Sequence, residues 1–169
     1  MSKNTKYNFT LYKCTNMQNM LNSAILLSRE LFSNDLKSLD IVNYNYIPNK
    51  AVEELGLELE LVNHLIDDYV IQIIKSNMTF LQHLHKLERN KHNNTIMDYT
   101  DLRELAHKNL GVARNLRIKD AERLLHKIMK ENDLGQIFLC LEALFACVTI
   151  LRPQQAFDTL RLIKVKNSF

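Results

Sequence analysis

Asp101-Leu102-Arg103-Glu104-Leu105-Ala106-His107-Lys108-Asn109-Leu110-Gly111-Val112-Ala113-Arg114-Asn115-Leu116 has the pattern of one amphipathic helix. At 100° per residue, its apolar side chains fall within about 60° of one direction. These side chains are Leu102, Leu105, Ala106, Val112, Ala113 and Leu116. A stripe of this width is typical of a helix that packs in a bundle. The stretch therefore predicts a bundle helix with one buried face and one polar face.

His107 lies nearly opposite this apolar stripe. The residues that share its side of the helix are Thr100, Arg103, Glu104, Gly111 and Arg114. We therefore expect the imidazole to be exposed to water on a polar strip, with two guanidinium groups within two helical turns. An exposed imidazole is mostly neutral at neutral pH, so it can act as a nucleophile without an activating base.

Gly111 is the glycine that falls inside a predicted helix, whereas Gly56 and Gly135 lie near predicted helix starts. A glycine inside a helix costs roughly 1 kcal/mol relative to alanine. Gly111 follows His107 by one turn on the same face, and its missing side chain leaves the imidazole open to approach. This placement indicates that a partner comes close to the ring.

Residues 106–116, Ala-His-Lys-Asn-Leu-Gly-Val-Ala-Arg-Asn-Leu, resemble the active-site helix of histidine phosphotransfer (HPt) domains. The family pattern is roughly His-x-Leu-Lys-Gly-x-Ala/Ser, followed by an ending similar to Asn-Leu. The resemblance covers about residues 50 to 152. It implies an all-α fold, in which an antiparallel up-down four-helix bundle of HPt type carries an additional N-terminal helix and a short C-terminal tail or helix.

Two positions depart from the family pattern. Leu110 stands where the family has a lysine, and Asn109 stands where it has a leucine. Asn109 falls in the centre of the apolar stripe, where an unpaired amide costs about 1–3 kcal/mol, so we expect it to have a hydrogen-bond partner. Without the family lysine, Arg103, Lys108 and Arg114 are the residues expected to neutralise a phosphoryl group.

The resemblance implies a bacterial phosphoryl carrier. His107 would accept a phosphoryl group from the aspartate of a response-regulator receiver domain, or from a hybrid histidine kinase, and pass it on in a two-component phosphorelay. Such a carrier is not itself an enzyme, because the receiver supplies Mg²⁺ and the charged groups of the transfer step. We expect the chain to have no cofactor or metal of its own. The expected docking surface is the polar face around His107, with Leu110 at its edge as an apolar contact and Gly111 giving steric access.

Hydrophobic periodicity divides the chain into three parts. Residues 1–48 are an N-terminal extension, 49–152 the HPt-like bundle, and 153–169 a C-terminal tail or short helix. The extension contains one amphipathic helix over about 17–32, with Asn16 as its N-cap, and we expect it to pack on the bundle.

The bundle itself begins with a short turn of helix, followed by a long helix over residues 57–89. The segment Thr95-Ile96-Met97-Asp98 has the spacing of a capping box before the histidine helix. An amphipathic helix then covers residues 120–131, and Asn132-Asp133 begins the last bundle helix, which ends at Leu151.

Composition excludes several classes of protein. The net charge is +3, and the basic residues are scattered among acidic ones, so we expect no nucleic-acid partner. The apolar run from Ile137 to Leu151 is shorter than the ~20 residues of a membrane helix and contains Glu142, and the polar start has no signal-peptide pattern. We therefore expect a cytoplasmic protein without a membrane segment.

Neither the three cysteines nor the histidines outside the central helix have the spacing of metal ligands. We expect reduced thiols and no metal site.

Two other classes of function remain open. The chain can be a non-catalytic helical interaction module, a degenerate HPt that binds a receiver or kinase without carrying phosphate. It can also be a bundle that dimerises through its last helix, which is apolar almost all round and needs cover on more than one side. Cover by the helix over 17–32 is the favoured alternative, so we expect a monomer, with a homodimer as the second possibility.

Overall fold

The computed structural model describes residues 6–41 and 44–168. In this part of the chain there are seven α-helices and no strand, so the predicted all-α class is confirmed. The helices are α1 (Met17–Ser33), α2 (Asn49–Leu55), α3 (Leu59–His92), α4 (Thr100–Asn115), α5 (Lys119–Lys130), α6 (Leu134–Leu151) and α7 (Pro153–Asn167). The first five residues, part of the start that lacks a signal-peptide pattern, lie outside the described ranges.

Four helices contact one another in a closed ring, since α3 packs on α4, α4 on α5, α5 on α6 and α6 on α3. The connections between consecutive members are short, and short connections join helices that run antiparallel. The other two long helices, α1 and α7, pack on the outside of this ring. The histidine helix, α4, lies between α3 and α5.

The predicted N-terminal helix is α1, and it packs against α6. Its N-cap is Asn16, whose side-chain oxygen accepts a hydrogen bond from the Asn19 N–H at 2.8 Å. At the start of α6, Asp133 caps in the same way and accepts from the Gln136 N–H at 2.8 Å. Both caps agree with the sequence, because Asn and Asp hold the first free N–H groups of a helix well.

The predicted capping box at residues 95–98 is wrong. The N–H of Thr95 donates to the Asn90 carbonyl oxygen at 2.9 Å, so Thr95 closes the end of α3 rather than starting α4. Asp98 instead accepts from the Thr100 N–H at 3.0 Å. The helix consequently begins at Thr100, later than the sequence pattern suggests.

The end of α4 is a tight stop built around Arg117, which has a left-handed φ of 61°. The Arg117 N–H donates to the Arg114 oxygen at 3.1 Å, and the Ile118 N–H donates to the Ala113 oxygen at 3.0 Å. This pair of bonds is a Schellman motif, in which glycine is the usual left-handed residue. Both ends of α4 are therefore fixed by local hydrogen bonds, with His107 in the middle of the helix.

The most apolar helix, α6, is covered within the chain by α1 and by its ring neighbours. Among the described residues it is the one helix that is long and apolar enough to cross a membrane, and 61% of that span is buried inside the protein. This burial is what a core helix of a soluble protein shows.

One carboxylate lies on this apolar helix and connects it to the N-terminal segment. Glu142 is 5% exposed, and its two oxygens accept from the Thr10 N–H at 2.8 Å and the Thr10 hydroxyl at 2.6 Å. Burial raises the pKa of Glu142 above its ordinary value, and the two hydrogen bonds from Thr10 partly oppose the rise. The polar contact fixes the N-terminal segment on α6.

Glu142→Ala should lower the free energy of unfolding by about 1–2 kcal/mol, because the Thr10 N–H and hydroxyl lose their acceptors. Glu142→Gln keeps an acceptor for the Thr10 N–H and is the matched control. Urea unfolding at pH 7 measures both variants, and equal stabilities of Glu142→Ala and Glu142→Gln would contradict the role of this contact.

The contact between Glu142 and Thr10 also predicts that the stability of the protein depends on pH. Because the pKa of Glu142 is raised in the folded state, the contribution of this group to stability is complete at low pH and is lost as pH rises through the folded-state pKa. As the pH rises above the ordinary glutamate pKa of about 4.3, the wild type should therefore lose stability relative to Glu142→Gln, which does not titrate.

Candidate functional site

His107 lies on the exposed face of α4, as its helical phase predicts. Its ring borders a shallow concavity of about 490 Å³, lined by Thr100, Arg103, Glu104, His107 and Lys108. No hydrogen bond or ion pair to the described residues holds the imidazole. Both ring nitrogens are consequently available to a molecule that approaches from solvent.

The three predicted phosphate-neutralising residues have different surroundings. The Arg103 Nη2 donates to the Asn132 Oδ1 at 2.6 Å, and its guanidinium lies 4.9 Å from the centre of the Tyr99 ring. The Arg114 Nε is 3.3 Å from a Glu122 oxygen. Lys108 is exposed and has no ion pair among the described residues. Arg114 thus contacts α5, and Arg103 contacts the connection after it. Lys108 makes no such contact with the described residues.

Arg103 nevertheless has an unused donor. Its Nε is buried and has no hydrogen-bond partner in the described part of the chain. Arg103 precedes His107 by four residues, a spacing that places two side chains next to each other on a helix surface. An anion bound at the imidazole can therefore attract this guanidinium.

The prediction that Leu110 lies at the docking edge is wrong. Leu110 is 2% exposed and belongs to the hydrophobic core. On α4 it falls on the same side as Arg103 and Arg114, the side on which α5 packs. That packing covers the side chain, so Leu110 stabilises the α4–α5 contact and offers nothing to a partner.

Asn109 has the hydrogen-bond partners that its buried position requires. It is completely buried, and its Oδ1 accepts from the Gln72 Nε2 at 2.9 Å and from the Ser76 hydroxyl at 3.3 Å. Its Nδ2 donates to the Leu105 carbonyl oxygen at 2.9 Å. These bonds join α3 to α4 one half-turn from His107, and we call Gln72, Ser76 and Asn109 the amide cluster.

Gly111 is exposed, and a Cβ added to it would meet no atom within 4 Å. Packing inside the protein therefore does not require a glycine at this position. The helix retains a residue that costs roughly 1 kcal/mol relative to alanine, without an internal steric reason. The open space lies one turn from His107 on the same face.

Gln72 and Ser76, which support Asn109, are not among the residues predicted from the sequence. They are four residues apart on α3 and therefore share one face, which was the available signal. This spacing does not identify Asn109 as their partner, because the pairing depends on how α3 and α4 align in space.

No group of three or more His, Cys, Asp or Glu residues in the described ranges is arranged to hold a metal ion. The three cysteines are unpaired thiols. Burial raises the pKa of Cys140 to about 12, so this thiol is unreactive at neutral pH.

Comparisons of the chain with protein-family models, with curated proteins and with solved structures find no match.

Asn109→Ala should lower the free energy of unfolding by about 1–3 kcal/mol, because the variant removes the acceptor of two inter-helix donors and leaves a small void. Gln72→Ala, which is partly exposed and loses one bond, should cost less. A double-mutant cycle by urea unfolding should give a coupling energy of at least about 0.5 kcal/mol between the two residues. Additive effects would show that the amide cluster does not join the helices energetically.

Proposed function

We propose that the protein is a histidine phosphotransfer protein, in which His107 carries a phosphoryl group to or from the aspartate of response-regulator receiver domains. The observation that carries the proposal is the exposed, unengaged imidazole of His107 beside Gly111, a helix glycine with no internal packing reason. The resemblance of residues 106–116 to the HPt active-site helix supports it. The closed ring of α3, α4, α5 and α6 is compatible with an HPt bundle.

In the proposed reaction, this chain has to supply only the nucleophilic imidazole. The lone pair of one imidazole nitrogen attacks the phosphorus of the receiver's aspartyl phosphate, and the P–O bond to the aspartate breaks as the N–P bond forms. The aspartate leaves as a carboxylate, and the reverse step returns the phosphoryl group to a receiver. The receiver's Mg²⁺ neutralises charge on the transferred oxygens. A stiff helix that presents the histidine is sufficient for the carrier.

Lys108 and Arg103 are the proposed phosphate-neutralising residues of the chain. Lys108 is exposed and has no ion pair among the described residues, so it can reach the phosphoryl oxygens without breaking a contact in that part of the chain. Arg103 has its free Nε–H but must leave Asn132 to bring the whole guanidinium to the phosphate. Arg114 is the weaker candidate, because Glu122 already balances its charge.

A receiver would dock on the face that surrounds His107. Since Leu110 is in the core, the apolar contact has to come from elsewhere, and α3 offers Leu61, which is 46% exposed. Leu61 lies on the same side of α3 as Gln72, because eleven residues are close to three full turns. The N-terminal end of α3, about 16 Å along the helix from Gln72, therefore supplies exposed apolar surface.

The degenerate-HPt alternative is favoured by one specific observation, which is that no lysine follows His107 by three residues and the leucine there is buried. In that function the chain would bind a receiver or kinase without accepting phosphate.

We place the carrier in the cytoplasm, with a receiver or hybrid kinase as its partner. We propose that it is a monomer, since α1 covers the apolar α6 within the chain.

His107→Gln should abolish phosphorylation by a phosphorylated receiver and leave the bundle folded, because an exposed side chain contributes little to stability. Radiolabel on the protein and its circular dichroism spectrum measure the two effects. His126→Gln is the matched control and should label like the wild type. Labelling of His107→Gln would overturn the site, and receiver binding without any labelling of the wild type would favour the degenerate HPt.

Gly111 gives a prediction in which stability and activity change in opposite directions. Gly111→Ala should raise the free energy of unfolding by about 0.5–1 kcal/mol, because the site has room for a methyl group. Gly111→Gln should fold at least as well as the wild type but accept phosphate more slowly, because its side chain occupies the approach to His107. Urea unfolding and initial transfer rates test this, and an unchanged rate for Gly111→Gln would refute the steric role.

A further inference from the structure

A second concave site lies away from His107, between α1, α6 and the start of α5. This pocket has a volume of about 380 Å³, and its lining comes from those helices and from the segment that precedes α2. Ile25 and Phe32 of α1 and Ile150 of α6 form apolar walls. A pocket of this size that combines apolar walls with several polar groups is typical of small-molecule sites.

Asp120 and Cys147 are the polar pair of this pocket. The Asp120 Oδ1 accepts from the Ala121 N–H at 2.6 Å, and the Cys147 thiol donates to the same carboxylate. No Lys or Arg of the described residues forms an ion pair with Asp120, and burial raises its pKa. Among the described lining residues the one cation is Arg29, which is exposed and screened by water.

A buried hydroxyl without a partner lies near the same pair. The Tyr69 side chain is 1% exposed, and its oxygen has no hydrogen-bond partner in the described part of the chain. Burial raises the pKa of Tyr69, and the nearby Asp120 and Cys147 raise it further. Tyr69 is therefore a buried polar group near Asp120 whose hydroxyl lacks a hydrogen-bond partner among the described residues.

We propose that this pocket binds a small organic ammonium compound, with its cationic nitrogen at Asp120 and its apolar body between Ile25, Phe32 and Ile150. An ammonium group supplies the positive charge that a desolvated carboxylate lacks. The apolar walls select a molecule with a hydrocarbon or aromatic body. The site is independent of His107, because no residue of α4 lines it.

Three probes of similar size test the charge requirement by isothermal titration calorimetry: 2-phenylethylamine, 2-phenylethanol and 3-phenylpropionate. The amine should bind at least about tenfold more tightly than the alcohol or the acid. This is the gain in affinity that one charge-assisted hydrogen bond gives. Equal affinities, or no binding of the amine to the folded protein, would overturn the proposal.

Two variants test the location. Asp120→Asn keeps the acceptor for the Ala121 N–H, so it should fold, yet it should lower the amine's affinity about tenfold to that of the alcohol. Ile150→Arg should weaken all three probes, since Ile150 is a partly exposed wall residue. His107→Gln should bind the amine like the wild type. If Asp120→Asn binds the amine with the affinity of the wild type, the ligand lies elsewhere and the site is refuted.

Discussion

The hydrogen bond between the Gln72 amide and the buried Asn109 oxygen, at 2.9 Å, is the contact on which the display of His107 depends. A buried amide has few satisfactory arrangements, so it specifies how α3 and α4 align more strictly than an apolar side chain does. Because Asn109 follows His107 by two residues, fixing one side of α4 against α3 also fixes the opposite side toward solvent. The departure from the family pattern at this position is thus compatible with a rigid presenting helix.

The parts of the chain outside the ring of four helices act on the other side of the bundle. The α1 helix covers α6, and Glu142 holds the N-terminal segment through Thr10. Covering α6 removes an apolar surface that would otherwise need a second subunit. The face around His107 is left open, and this division of roles fits a carrier that binds its partners transiently.

Helical phase was sufficient for much of this structure. The exposed position of His107, the apolar stripe of α4, the cap at Asn16 and the start of α6 at Asn132-Asp133 all depend on residues that are close in sequence, so the sequence contains the information. Leu110 was misplaced because its burial depends on α5, which packs along that side of α4. The partners of Arg103 and Asn109 likewise come from residues distant in sequence, and no local pattern specifies them.

The role of His107 is decided by which of the six histidines of the chain carries the phosphoryl group. The protein would be incubated with phosphorylated receivers, kept at alkaline pH, digested and mapped by mass spectrometry. If His107 is the carrier, one acid-labile phosphoryl group per chain should be found on His107, with the other histidines unmodified. A phosphoryl group on another histidine, or none after incubation with several active receivers, would contradict it.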